Sequence, residues 1–359
     1  MDSWRPSVLV LGPGGIKGYY EIGSVAALWE HGLLDNVKHY VGVSVGSILC
    51  LLLVIGFTPD DIMARFTAED VLSDLCQIDG SRKAIFSNQP VVTFLRELVK
   101  ERIGFVPTLR QLAQITDRTF TAVTLNLTQQ TVEYVNGYTE PSLSCVDAVA
   151  MSINIPGIFE KIVYRGNVYV DGALGNPYPV DAFDDQHSNV LGISVLTRID
   201  PDEVVSYIAS NIDCAFYHMH RIIKERASSK CKHLSYAVKM SSFLGINLPV
   251  AQRQAMFAEG HHQAKLFLAE VGIPEEGMLV KSTYPADDID TADDACVDGD
   301  DTQTLPPLDS VVTKLFNSGN INDEQLVHVL HVLLDCVRLN NETGMVTDIL
   351  NRLQARRDT

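Results

Sequence analysis

No two of the seven cysteines, at positions 50, 76, 145, 214, 231, 296 and 336, form a CxxC pair. That argues against a zinc module. The odd, scattered set also argues against a disulfide framework, so a reducing compartment is expected. Positive charge is scarce: 28 Lys and Arg stand against 45 Asp and Glu, a formal net charge of −17 over 359 residues. Such a chain makes a poor nucleic-acid binder, which needs clustered cations to displace counterions. Strong docking of the whole body on anionic lipid is also disfavoured, a local patch excepted. The first six residues include Asp2, Trp4 and Arg5 instead of an apolar core, so no secretory signal is expected. The longest uncharged run, 40–59, holds 20 residues. That length would span a bilayer, but Gly42, Ser44, Gly46, Ser47 and Gly56 fit a buried strand–turn–helix better.

What is present is ample core material: 46% hydrophobic against 20% charged residues. The length allows two or three domains, or one large α/β domain with an appendage. Residues 7–11 (SVLVL) and 39–43 read as buried strands, each followed by a helical pattern, over 19–31 and 47–55. Two such βα units favour a mainly parallel sheet with helices on both faces. Segments 120–125, 131–135, 163–170 and 190–196 read as further strands, and 202–271 as helical. Residues 284–301 then hold eight Asp and no basic residue, the composition of a flexible linker. Beyond Pro306 and Pro307, Asn322 and Gln325 resemble a capping box ahead of a helix over 326–337, and 344–353 suggests a second helix. The expected domains are therefore 1–283, a linker at 284–308 and a helical appendage at 309–359.

Gly12-Pro13-Gly14-Gly15-Ile16-Lys17-Gly18 follows a strand and opens a helix. Glycines let successive N–H groups converge on one point, and the helix N-terminus adds partial positive charge. The loop suits a phosphate or a developing oxyanion. Both nucleotide motifs fail: Lys17 stands where a Rossmann loop needs its third glycine, and Gly18 follows Lys17 where a P-loop needs Ser or Thr. Gly42-Val43-Ser44-Val45-Gly46 is a GxSxG between a strand and an apolar helix, the setting of a nucleophile elbow. The bland alternatives are a tight turn and a small-residue junction.

An α/β-hydrolase would follow its serine with an acid and a histidine. Of ten histidines only His187 stands near a suitable loop, while His218 and His220 read as part of a solvated helix face beside Arg221, Lys224 and Arg226. Asp171 is the better base. It ends a strand and is followed by Gly172, which permits close backbone approach; a turn-initiating Asp is the alternative.

These three elements, in this order, resemble the patatin-like phospholipase family. Gly14-Gly15-Ile16-Lys17-Gly18, Gly42 to Gly46 and Asp171-Gly172-Ala173 carry the resemblance, together with 148–159 and Asn176-Pro177; it covers about residues 7–196. Pro13 replaces a common glycine, Lys17 a common arginine and Ala173 a second glycine. The resemblance implies a three-layer α/β sandwich with a mainly parallel central sheet. It implies Ser44 as nucleophile and Asp171 as its direct partner, without histidine. It also implies an oxyanion hole from the N–H groups of Gly14, Gly15 and Ile16, supported by Gly12, Lys17, Gly18, Gly42, Gly46 and Gly172. Lys17 either orients the loop, contacts a phosphate, or is a surface lysine. The implied activity is hydrolysis of glycerophospholipid acyl esters through an acyl-enzyme. Lysophospholipid or neutral-lipid hydrolysis, or a non-catalytic lipid-binding scaffold, are the alternatives. No metal or other cofactor is implied.

The expected partner is an acyl lipid met at a membrane or micelle surface by a cytoplasmic, peripherally associating protein. An apolar mouth is expected from 241–250 and 86–105. The basic set Arg221, Lys224, Arg226, Lys230 and Lys232 is a weaker headgroup candidate than an ordinary helix face. The C-terminal helices are expected to cap the pocket or bind a protein partner.

Overall fold

The computed structural model describes residues 4–68, 88–156, 159–197, 207–238 and 248–272. The expected acidic linker, both C-terminal helices and residues 86–87 and 241–247 of the expected mouth lie outside them. Strand β1 (Val8–Leu11) is buried throughout and leads through the glycine loop into α1 (Gly18–Glu30). Strand β2 (His39–Val43) leads into α2 (Val45–Val54), every residue of which is buried. The uncharged run 40–59 is therefore a strand and a central helix, and no helix among the described residues is long and apolar enough to cross a membrane. Helices α3 (Pro59–Ala68), α4 (Gln89–Ile103) and α5 (Leu109–Thr116) follow. Then come β3 (Thr119–Asn126), β4 (Thr131–Val135), α6 (Cys145–Ser152), β5 (Ile162–Tyr164), β6 (Asn167–Asp171) and β7 (Val190–Thr197). Helix α7 (Tyr207–Arg226), β8 (Cys231–Val238) and α8 (Val250–Glu270) complete the described chain.

Strands β3, β2, β1, β7 and β8 are mutually parallel in that order, as the two βα units imply. One larger apolar cluster on one face of the sheet gathers residues of α1, α2, α4, α6 and α8; a second cluster on the other face includes Val10, Val41, Val43, Tyr178 and Ile223 of α7. Helices thus cover both faces, giving three layers.

The outer part of the sheet is antiparallel, and its register places the site. Thr124 is paired with both Glu133 of β4 and Asp171 of β6, so those strands take opposite edges of β3. Ala122 is paired with both Gly42 of β2 and Val135 of β4, so β2 also lies opposite β4. Strands β2 and β6 therefore share one edge of β3, one beyond the other. Because β2 is parallel to β3 and β6 antiparallel, they run toward each other and meet at their C-terminal ends.

Three expectations are corrected. Segment 163–170 is not one strand but a hairpin, turned at Arg165 and Gly166 with φ of 48° and 78°, the double left-handed geometry that matches strand twist. The stretch 202–271 is not wholly helical, since β8 adds an outer parallel strand beside β7. His220 does not sit on a solvated face: it is buried, with its Nε2 3.0 Å from Ser235 Oγ.

Candidate active site

Ser44 stands between β2 and α2 with φ 54° and ψ −126°, a backbone conformation costly for any residue with a Cβ. The surroundings enforce it. Its N–H donates to Ser152 Oγ at 3.0 Å, and its carbonyl accepts from Ser47 Oγ at 2.6 Å. A Cβ on Gly46 would lie 2.5 Å from the Leu11 carbonyl oxygen and 2.6 Å from that of Gly12, and one on Gly42 would strike Gly46 and Ser47. Only glycine lets the start of α2 lie against the end of β1 this closely.

The glycine loop embraces that elbow. Gly12 N–H donates to the Ile193 carbonyl at 3.0 Å, fixing the loop's root on β7. Gly14 is extended, Gly15 takes φ 53°, and residues Gly15–Lys17 make a single 3₁₀ turn closed by Lys17 N–H on the Gly14 carbonyl. Gly18 lies against Val45, the residue after Ser44. The loop thus touches the elbow at Gly12 and again at Gly18. Lys17 is buried, and its Nζ donates to Thr197 Oγ1 at 3.0 Å. That removes the surface-lysine alternative. Burial lowers its pKa, opposed by Asp213 and Glu21.

Asp171 ends β6 one pairing position beyond the end of β2: Val43 is registered with Val123 and Asp171 with Thr124. Its N–H donates to the Asn154 carbonyl at 2.8 Å, and its Oδ1 accepts from Ala173 N–H at 2.9 Å. Gly172 passes so close to the Val123 carbonyl that a Cβ would collide with it. Burial raises the Asp171 pKa to about 6; hydrogen bonding from the Ser44 side chain and from Ala173 N–H draws it partly back. Side chains 127 positions apart in sequence (171 − 44) are therefore in interaction reach at a closed site, Ser44 being 7% exposed and Asp171 4%. Among the described residues the hydrogen-bond partners of these two include no imidazole. His187 lies in an exposed turn held by Asp185, and His218 is exposed.

Three residues escape a reading of the sequence. Ser152 and Asn154, fully buried, hold the two halves together: one binds the backbone of Ser44, the other that of Asp171. Asn154 Nδ2 further donates to the Tyr169 carbonyl at 2.9 Å. Their signal is the presence of two small polar residues in the apolar run 148–155 (AVAMSINI). Glu21 is fully buried behind the loop; burial holds its pKa well above the usual carboxylate range, opposed by Lys17 and the Gly12 backbone.

Residues 9–184 match the family described as patatin-like phospholipase. Over 180 residues the chain is 27% identical to the probable lipid hydrolase 463L of Invertebrate iridescent virus 6, which covers 48% of this chain and 61% of that protein. The chain thus spans less than two thirds of that relative's length. It is 26% identical over 282 residues to the uncharacterized protein R571 of Acanthamoeba polyphaga mimivirus, covering 72% of this chain and 92% of that one. Among solved structures, VipD from Legionella pneumophila aligns with a TM-score of 0.45 at 15% identity, over 74% of this chain and 67% of that one.

Proposed function

The chain belongs to the patatin-like phospholipase family, and on that premise we propose that it is a lipid hydrolase that cleaves fatty-acyl esters of glycerophospholipids with a Ser44–Asp171 dyad. Ser44 Oγ attacks the ester carbonyl while its proton passes to Asp171. The oxygen of the tetrahedral intermediate is held by the N–H groups of Gly14, Gly15 and Ile16, where one such donor is worth about 3 kcal/mol. Collapse breaks the acyl C–O bond, and Asp171 returns the proton to the leaving alcohol. Water then repeats the sequence on the acyl-enzyme.

One observation carries this reading: β2 and β6 end head-on along one edge of β3 and bring Ser44 beside the buried Asp171, whose pKa burial raises to about 6. An ordinary aspartate, near ~3.9, is a weak base; one near neutrality accepts a proton far better and still stands ionised at pH 7. The strained φ of Ser44 supports it, because backbone strain of this kind collects at reacting residues.

The test is capture by a fluorophosphonate, with the adduct located by mass spectrometry, followed by ester release from phosphatidylcholine, lysophosphatidylcholine and triacylglycerol. The expected result is an adduct on Ser44, absent in Ser44→Ala and Asp171→Asn, with diacyl phospholipid the preferred substrate. No adduct, or equal background release by all three proteins, overturns the hydrolase in favour of a lipid-binding scaffold. Preference for lysolipid or triacylglycerol moves the substrate class while keeping the dyad.

A further inference from the structure

The shared edge of β3 has a second consequence. Strand β2 stops at Val43, opposite Val123, whereas β3 continues to Asn126 and carries β4, β6 and β5 with it. These outer strands stand past the nucleophile by about 10 Å at the usual rise per residue. Directly paired residues lie on one face of a sheet. Leu125 is paired with Val132 and Val170, and Val163 with Val168. Leu127 N–H donates to the Val168 carbonyl at 2.8 Å, which extends the β3–β6 register by one position. Val163, Val168 and Leu127 therefore form one row across three strands, and Val170, Leu125 and Val132 the next row inward. The Gly172–Leu174 turn follows Asp171 directly, and Gly175 packs against Val132 and Leu125.

This face is apolar and open. Val163 is 58% exposed, Leu127 53% and Leu174 40%. On the opposite face of the same strands Ile162, Tyr164 and Tyr169 pack on the larger core, and Asn126 Nδ2 is bonded to Glu133 Oε1 at 2.7 Å. Charge is missing as well. No ionisable side chain other than a tyrosine occurs in 119–132, 162–164, 166–170 or 172–180, in a chain of net charge −17. Lys161 and Arg165 bracket β5. Lys161 is exposed; Arg165 pairs with Glu140 at 2.8 Å, and the half-buried Glu160 precedes Lys161. This row lies on the strand that Asp171 ends, on the face opposite the Asp171 side chain; with no acidic residue in these strand segments and Lys161 exposed at its edge, it is complementary to a lipid surface whose headgroups carry negative charge.

We infer that the Val163–Val168–Leu127 row, with Leu174, is the face by which the outer strands beside the site enter the lipid surface. The inference rests on the acyl-lipid reading above for its occupant. The hairpin tips enter the headgroup layer with Leu127 and Val163 leading, while Lys161 stays at phosphate level.

The test uses the full chain carrying Ser44→Ala, so that vesicles stay intact, and phosphatidylcholine vesicles with a minority of phosphatidylglycerol. Leu127→Asp combined with Val163→Asp should weaken co-sedimentation about tenfold or more, since each exchanges an apolar side chain for a charge at the interface. The indole introduced by Leu127→Trp should shift its emission to the blue on vesicles and be quenched by lipids brominated on the acyl chain. With Ser44 intact, the Asp pair should lose vesicle hydrolysis yet cleave a water-soluble monomeric ester at the wild-type rate. Unchanged co-sedimentation of the Asp pair, or no quenching of the Leu127→Trp indole on bound protein, overturns the face. So does a change confined to self-association in size-exclusion chromatography. Failure of the hydrolase reading looks different: no wild-type release of the soluble ester, whatever the vesicles show.

Discussion

Val43 and Asp171 end two strands that meet head-on along one edge of β3, registered with the consecutive residues Val123 and Thr124. The nucleophile elbow begins where the first strand stops, and the carboxylate is the last residue of the second.

The rate of ester cleavage should follow the ionisation of Asp171. In the proposed mechanism its carboxylate is the proton acceptor, and burial raises its pKa to about 6. For a water-soluble ester, kcat/KM should therefore rise about tenfold per pH unit below that value and level off above it. An imidazole base would give a similar curve, so the profile should be repeated at two temperatures. A carboxylate midpoint stays nearly fixed, while an imidazole midpoint falls on warming. A midpoint that drops with temperature refutes the aspartate.

The same burial costs stability. The folded pKa, about 6, lies above the 3.8 of an unperturbed aspartate, so the native state binds the proton more tightly than the unfolded chain. This group's contribution is most favourable below about pH 4, declines as pH rises toward 6, and is a constant penalty above. The ceiling is about 3 kcal/mol at neutral pH. Asp171→Asn should thus be inactive yet melt higher than wild type at pH 7.5, with the gain shrinking toward pH 4.5. A lower Tm for Asp171→Asn across that range contradicts the assignment.

Ser44 sits at φ 54°, where a Cβ costs about 1–3 kcal/mol. Ser44→Gly should relieve that strain and stabilise the protein by about 1 kcal/mol, whereas Ser44→Ala keeps it; both should be inactive. Urea unfolding of the three proteins reads the difference. Equal midpoints for the Gly and Ala variants would show that the elbow is not strained.

Ser152→Ala removes the acceptor for Ser44 N–H inside a fully buried site. An orphaned buried donor costs about 1–3 kcal/mol. The elbow should also loosen, so kcat on the soluble ester should fall while the pH midpoint stays near that of wild type. Ser152→Thr, which keeps the hydroxyl, should restore part of the rate. If neither rate nor stability responds to Ser152→Ala, the yoke between the two halves is not functional.

The parts legible in the sequence are those written in contiguous residues. The glycine loop, the GxSxG elbow and the Asp171-Gly172 strand end each announce their backbone geometry locally, and the two βα units announce the parallel core. What stays hidden depends on register. Nothing in residues 119–126 says that β3 carries two different strands on one edge. The 163–170 segment reads as one strand because Arg165, unlike Asn or Asp, gives no turn signal. Strand β8 (CKHLSYAV) alternates too weakly to be separated from the helices around it. Lys17 is ambiguous between surface and site because composition cannot report that Thr197 lies 3.0 Å from its amine.

Sharing an edge also orders events in time. The elbow leaves the ribosome long before the segment that abuts it, and a nascent chain that stops short of position 171 has a serine with nothing to accept its proton. On the proposed dyad, reactivity therefore waits until the hairpin of β5 and β6 has zipped onto β3.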